Sequence, residues 1–265
     1  MCDIVPVMIG VLLFIGIVVW FVYFYARQKR KVSEYKLPAD AGAFLNDNVS
    51  FFSDLGDDGK QQFLNRVRGF LANTSVRGVG VDVSDEDRLL VAAGAIIPIF
   101  AFPDWRYNNI DEVLIYPGAF TRDFRKSGDG RDVAGMVGDG VMHRRMILSK
   151  QALWQSFRNE LDGRNTVIHE FVHLIDKADG SVDGIPEYLL SHPYIIPWVG
   201  MIRDTIREMK GGDTGGIDMY GATSDAEFFA VIAEYFFERP DKLEANHPGL
   251  YALLLKMFVP PLKKR

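Results

Sequence analysis

Ile168-His169-Glu170-Phe171-Val172-His173-Leu174 is the stretch on which the reading of this 265-residue chain turns. It sets an H-E-x-x-H pattern inside an apolar run, Thr166–Asp176, whose spacing predicts a helix. A helix turns about 100° per residue, so His169 and His173, four apart, share a face within reach of one ion. Imidazole suits zinc, and Glu170 is placed to act as general base on a zinc-activated water. The competing reading is a helix with two incidental histidines.

A catalytic zinc site needs a third protein ligand and one open position. A further histidine six residues after His173, with glycine at three, would mark one peptidase class, but those positions hold Asp179 and Asp176. His143, His192 and His247 stand in no recognisable ligand spacing. A carboxylate on a later helix is the usual alternative, and residues 226–237 offer Glu227 and Glu234. Seven apart, they lie on nearly the same face of an otherwise apolar helix, where an ionised carboxylate is costly unless it meets a cation. Ser224-Asp225-Ala226-Glu227 also matches a capping box, in which Glu227 turns back to the backbone. Spacing alone leaves ligand and cap open for Glu227, and barely separates it from Glu234.

Composition bounds the rest. The chain is 48% hydrophobic and 25% charged, enough for one sizeable domain. Its one cysteine, Cys2, excludes a disulfide framework and a cysteine metal site. Beyond residue 31 the chain carries 26 basic and 34 acidic residues, a net of −8 that argues against direct nucleic-acid binding.

Residues 4–25 hold no charge and would extend about 33 Å as a helix, enough to span a bilayer. Trp20, Phe21, Tyr23, Phe24 and Tyr25 gather at one end, followed by Arg27, Lys29, Arg30 and Lys31. An aromatic belt followed by basic residues predicts a single-pass anchor in the inner (plasma) membrane, with the large domain facing the cytoplasm. A cleavable signal peptide would need basic residues before the apolar run and small ones at a cleavage site, and neither is present. The expected organisation is an anchor over 1–26, a basic tether over 27–36 and one domain over 37–265.

Within that domain, Phe44, Leu45, Val49 and Phe52 mark one helix, and Phe63, Leu64, Val67, Phe70 and Leu71 a second. Residues 76–83 and 113–116 read as strands. Ser84-Asp85-Glu86-Asp87 looks like the cap of a helix over 89–100, weakened by Gly94 and Pro98. Residues 133–137 and 141–143 flank Gly138-Asp139-Gly140 as a hairpin signal, and 146–148 offers a further strand. Helices follow over 154–161, 166–176, 202–210, 226–237 and 251–258, with 177–200 read as loop. The fold class is α+β, short strands ahead of a mostly helical half.

Residues from about 37 to 260 resemble the Mlc titration factor A (MtfA-like) family of zinc metallopeptidases. The likeness is carried by Val113-Leu-Ile-Tyr-Pro-Gly-Ala-Phe120, Val167-Ile-His-Glu-Phe-Val-His-Leu-Ile-Asp176 and the segment from Asp218 to Phe237. It implies a zincin-like metallopeptidase domain, with the H-E-x-x-H helix packed by a small sheet and further helices. It also implies that Glu227, not Glu234, is the third zinc ligand, and that Tyr220 is an active-site tyrosine, as in the related lethal-factor-type domain. A membrane anchor has no counterpart in most such proteins.

Under that resemblance, His169, His173 and Glu227 hold Zn2+, Glu170 is the base, and Tyr220 steadies the developing oxyanion. Asp176 either orients a ligand histidine or is a solvated helix-end charge. A strand from residues 133–149 could offer its edge to an extended peptide. Three function classes stand. The first is a membrane-anchored, aminopeptidase-like metallopeptidase acting on peptide or protein substrates. The second is a module that sequesters a transcriptional regulator at the membrane. The third is a purely structural metal site, against which an intact Glu170 argues.

Overall fold

The computed structural model describes residues 9, 12–21, 23, 27, 32, 34–118, 135–137, 144–158, 163–190 and 192–259. The chain divides into two compact units, Met1–Leu37 and Pro38–Arg265. In the first, residues 12–21 are helical and expose Leu12, Leu13, Phe14, Trp20 and Phe21. Among the described residues no helix is long and apolar enough to cross a membrane. The expected span over 4–25 lies partly outside the described residues.

The second unit is built on a four-stranded mixed sheet in the order β1-β2-β4-β3. β1 (Ser75–Gly78), β2 (Glu112–Tyr116) and β4 (Arg145–Ser149) run parallel, and β3 (Gly135–Val137) is antiparallel to β4. Met146, Ile147 and Leu148 are all fully buried, as expected of a strand covered on both faces. Register is set by apolar pairs such as Val113 with Met146, and by Glu112, bridged to Arg77 and Arg145 on either side at 3.1 Å each. The strand expected over 76–83 stops at Gly78, because the chain doubles back so closely that Val81 O occupies the space of a Gly78 side chain. Of the hairpin expected between 133–137 and 141–143, the first arm forms β3. β3 pairs antiparallel with β4, with Met136 opposite Ile147. Residues 141–143 lie outside the described residues.

Helices enclose this sheet. α1 (Ala41–Asn48) and α2 (Ser50–Ser53) split the first expected helix at Val49, whose extended backbone breaks it while its side chain stays buried with Leu45 and Phe52. α3 (Asp57–Asn73) buries Phe63, Val67, Phe70 and Leu71. α4 (Asp85–Ile96) opens with a full capping box between Ser84 and Asp87, then gives way to a 3-10 turn at Ile97–Ile99 containing Pro98. α5 (Lys150–Arg158) leads to α6 (Thr166–Asp176), the motif helix.

α7 (His192–Lys210) corrects the loop expected over 177–200, since it begins ten residues before Ile202 and carries Pro197 inside it. Proline removes one helical hydrogen bond. Burial of Trp198 and Ile202, with the Trp198 indole donating to Gly184 O at 2.7 Å, outweighs that loss. α8 (Asp225–Glu238) ends at Arg239-Pro240 as expected. The same proline opens α9 (Pro240–Asn246), and α10 (Pro248–Phe258) follows. α6 packs on α8, α4, α5 and β3, so the motif lies at the centre of the unit.

Candidate metal centre

The motif helix starts where it does because Asn165 caps it. The Asn165 side chain accepts from Ile168 N at 3.0 Å and donates to Ser156 O at 2.9 Å. Five β-branched residues make α6 a modest helix former by propensity. Tertiary packing supplies what propensity does not: Val167, Ile168, Phe171, Val172, Leu174 and Ile175 are all buried. Gly94 lets α4 approach closely, since a side chain there would meet Val167 Cβ at 2.9 Å.

This burial aims both histidines the same way. Their Nε2 atoms lie 3.1 Å apart with ring planes at 84°. Glu227 reaches in from the first turn of α8, its Oε2 lying 3.0 Å from His169 Nε2 and 3.3 Å from His173 Nε2. Edges of about 3.3 Å are what a tetrahedral zinc site with ligand bonds of about 2.0–2.1 Å requires. Two imidazole nitrogens and a carboxylate oxygen converging on one point therefore fit a zinc ion in both size and chemistry. Among the described residues no other cluster of at least three His, Cys, Asp or Glu meets that test.

The two readings of Glu227 are reconciled by geometry. Ser224 caps α8 by accepting from Glu227 N at 3.2 Å, which is the backbone half of a capping box. The Glu227 carboxylate does not turn back to Ser224; it turns to the histidines. Burial would raise its pKa, but hydrogen bonds to His169 and His173 hold it well below the usual carboxylate range.

Glu234, two turns further along α8, faces the same way. Its Oε1 lies 2.6 Å from His169 Nδ1, and its Oε2 accepts from Asn165 N at 2.5 Å. Nδ1 is thereby engaged with a carboxylate, which favours a proton there and leaves Nε2 as the ring atom that faces Glu227 and His173. Burial alone would lower the pKa of His169, yet Glu234 and Glu227 raise it well above the ordinary value in the metal-free protein.

Glu170 is buried on α6, and burial pushes its carboxyl up against the opposing pull of His169 and His173. Tyr220 stands on a 3-10 turn, Met219–Thr223, with its ring 6.0 Å from the His169 ring and 42% of the residue exposed. Asp218 fixes that turn by accepting from Tyr220 N at 2.9 Å and pairing with Arg164 at 2.7 Å.

Asp176 is not a solvated helix end. It is fully buried, and its Oδ2 accepts from Gly184 N at 2.9 Å rather than binding a histidine. Burial raises its pKa to about 6. Of the remaining histidines, His247 packs against Gly215, while His143 and the side chain of His192 lie outside the described residues. Asn165 and Gly184 belong to no motif in the sequence. A polar residue just before an apolar run was the available signal for the first.

The chain is similar over residues 24–259 to the family described as glucose-regulated metallo-peptidase M90. It is 27% identical to an uncharacterised protein of Synechocystis, with 96% of each chain covered. It is 30% identical to Mlc titration factor A of Serratia proteamaculans, covering 74% of this chain and 78% of that one. The protein of that name in Pectobacterium atrosepticum is also 30% identical, over 61% of this chain and 64% of that one.

Proposed function

This chain belongs to the glucose-regulated metallopeptidase M90 family, and from that premise we propose a zinc-dependent metallopeptidase with His169, His173 and Glu227 as ligands. The carrying observation is the convergence of three suitable ligand atoms on one point beside a buried carboxylate, Glu170. Zinc at that point supplies a Lewis acid that acidifies water and polarises a carbonyl.

The chain's own groups account for the proton traffic. Glu170 takes the proton of the attacking water and returns it to the leaving amine. Its raised pKa brings it closer to working pH, which favours both transfers. The Tyr220 hydroxyl donates to the oxygen that gains charge. Glu234 holds the His169 ring in the tautomer and orientation that a ligand needs. The substrate class is a peptide or unfolded protein segment, with aminopeptidase-like cleavage the form that the family resemblance favours.

A second reading rests on the name shared by several relatives, Mlc titration factor A. By analogy, this chain would sequester a transcriptional regulator, with or without cleaving it. The uncharged run over 4–25 and the basic residues after it support a membrane-tethered form with the catalytic domain on the cytoplasmic side. Reporter fusions to each end test that topology, and a C-terminal reporter active only outside the cytoplasm would overturn it.

The experiment for the main reading is metal analysis of the purified full chain, joined to a screen of peptide and aminoacyl substrates with and without chelator. About one zinc per chain and chelator-sensitive, zinc-restored hydrolysis are expected. Hydrolysis that chelation leaves intact would refute the reading.

A further inference from the structure

Gly184 sits where the motif helix α6, α7 and the start of α8 meet. Its N–H donates to Asp176 Oδ2 at 2.9 Å, at the C-terminal end of the motif helix α6. Its carbonyl accepts from the Trp198 indole of α7 at 2.7 Å. Its missing side chain is the third contact. A Cβ there would overlap Asp225 O, and would lie 2.7 Å from Asp225 C and 3.1 Å from Ala226 N. Asp225 and Ala226 form the first turn of α8, immediately before the ligand Glu227. Gly184 also holds φ of +77°, a conformation that side chains resist.

Neither Asp176 nor Trp198 is exposed to solvent. A carboxylate is costly to bury, so its place beside Gly184 asks for a reason beyond packing. Its position supplies one. Asp176 follows His173 by one helical turn, so the contact runs from the ligand helix α6 through Gly184 to the backbone that carries Glu227. Glu227 Oε2 must keep 3.0 and 3.3 Å from two nitrogens, and a few tenths of an ångström at Asp225 would be passed on to it.

We propose that Asp176 and Gly184 form a latch that sets the distance between Glu227 and the two histidines, making them positioning residues for the metal ligand set. This rests on the ligand assignment above, but not on peptidase activity. Zinc affinity and the visible spectrum of the cobalt-loaded protein are its readouts, so failure of the latch and failure of the peptidase reading remain distinguishable.

The test uses the full chain with zinc or cobalt as the probe. In D176A the acceptor is gone, and zinc affinity by chelator competition should fall at least tenfold, with an altered cobalt spectrum. In D176N an amide oxygen can still accept from Gly184 N, and affinity should return to within about threefold of the parent. G184A, which presses on Asp225 directly, should also weaken zinc at least tenfold. Zinc affinity within twofold of the parent in D176A or G184A would overturn the latch. A measurement on the parent covers variants that do not fold. Binding linkage is reciprocal, so zinc loading should slow hydrogen exchange at the Gly184 amide at least threefold. Unchanged exchange there would overturn the proposal by itself.

Discussion

Glu234 Oε1 lies 2.6 Å from Nδ1 of His169, on the side of the ring away from Glu227 and His173. One carboxylate thus decides which imidazole nitrogen is offered to a metal. The same carboxylate accepts from Asn165 N at the start of the motif helix, so it ties the ring to the helix that carries it. Glu234→Ala is therefore expected to weaken zinc binding by about 10–100-fold, the usual cost of removing such a partner. Glu234→Gln keeps an acceptor and should lose less. Chelator competition on both variants checks the order, and equal losses would show that hydrogen bonding to His169 is not the operative contact.

Zinc binding should be coupled to proton release. In the metal-free protein burial disfavours the charged His169, but Glu234 and Glu227 more than offset it and hold the ring protonated above its ordinary pKa. A ligand histidine must be neutral. Zinc affinity should accordingly rise with pH through the range in which His169 titrates. Calorimetry in buffers of different ionisation enthalpy should find about one proton released per zinc at neutral pH, and a proton count of zero would contradict this.

Asp176 gives the metal-free protein a pH dependence of known sign. Burial raises its pKa from 3.8 to about 6, so the folded chain holds a proton that the unfolded chain has released. Its favourable contribution is complete below about pH 3.8 and is lost as pH rises through about 6. The shift corresponds to about 3 kcal/mol at most. Denaturant titrations of parent and D176N from pH 4 to 8 should show a steeper decline in the parent, and parallel profiles would refute the assignment.

Gly94 should tolerate no enlargement. A methyl group there would lie 2.9 Å from Val167 Cβ, where α4 crosses the motif helix. Alanine normally favours a helix over glycine by about 1 kcal/mol, but overpacking costs about 1–3 kcal/mol. The net expectation for Gly94→Ala is a lowered unfolding midpoint together with weaker zinc binding. A raised midpoint would mean that the two helices can separate without cost.

Much of this arrangement was legible in the sequence, and the parts that were not share a cause. Thr166–Asp176 could be read because its apolar period and its histidine spacing are both properties of one helix. Glu227 and Glu234 could be placed on one face, but their division of labour could not be read. It depends on which of two imidazole nitrogens each meets, a matter of how α8 crosses α6. The capping box at Ser224 is no alternative to the ligand role, since its backbone half coexists with a carboxylate turned to the histidines. The extension of α7 across Pro193 and Pro197 was hidden because local proline chemistry argues against it, while burial of Trp198 argues for it from elsewhere in the chain. Gly184 was one glycine among 25, and only the position of Asp225 sets it apart.

The central claim is that Glu170 acts as the base beside a metal held by His169, His173 and Glu227. Its most direct test is the rate of peptide hydrolysis by Glu170→Gln at full zinc occupancy. The change removes the proton acceptor while keeping the size of the side chain and all three ligands. Zinc content equal to the parent, with hydrolysis reduced by about 100-fold or more, is the expected result. Hydrolysis undiminished at equal zinc content would contradict the account.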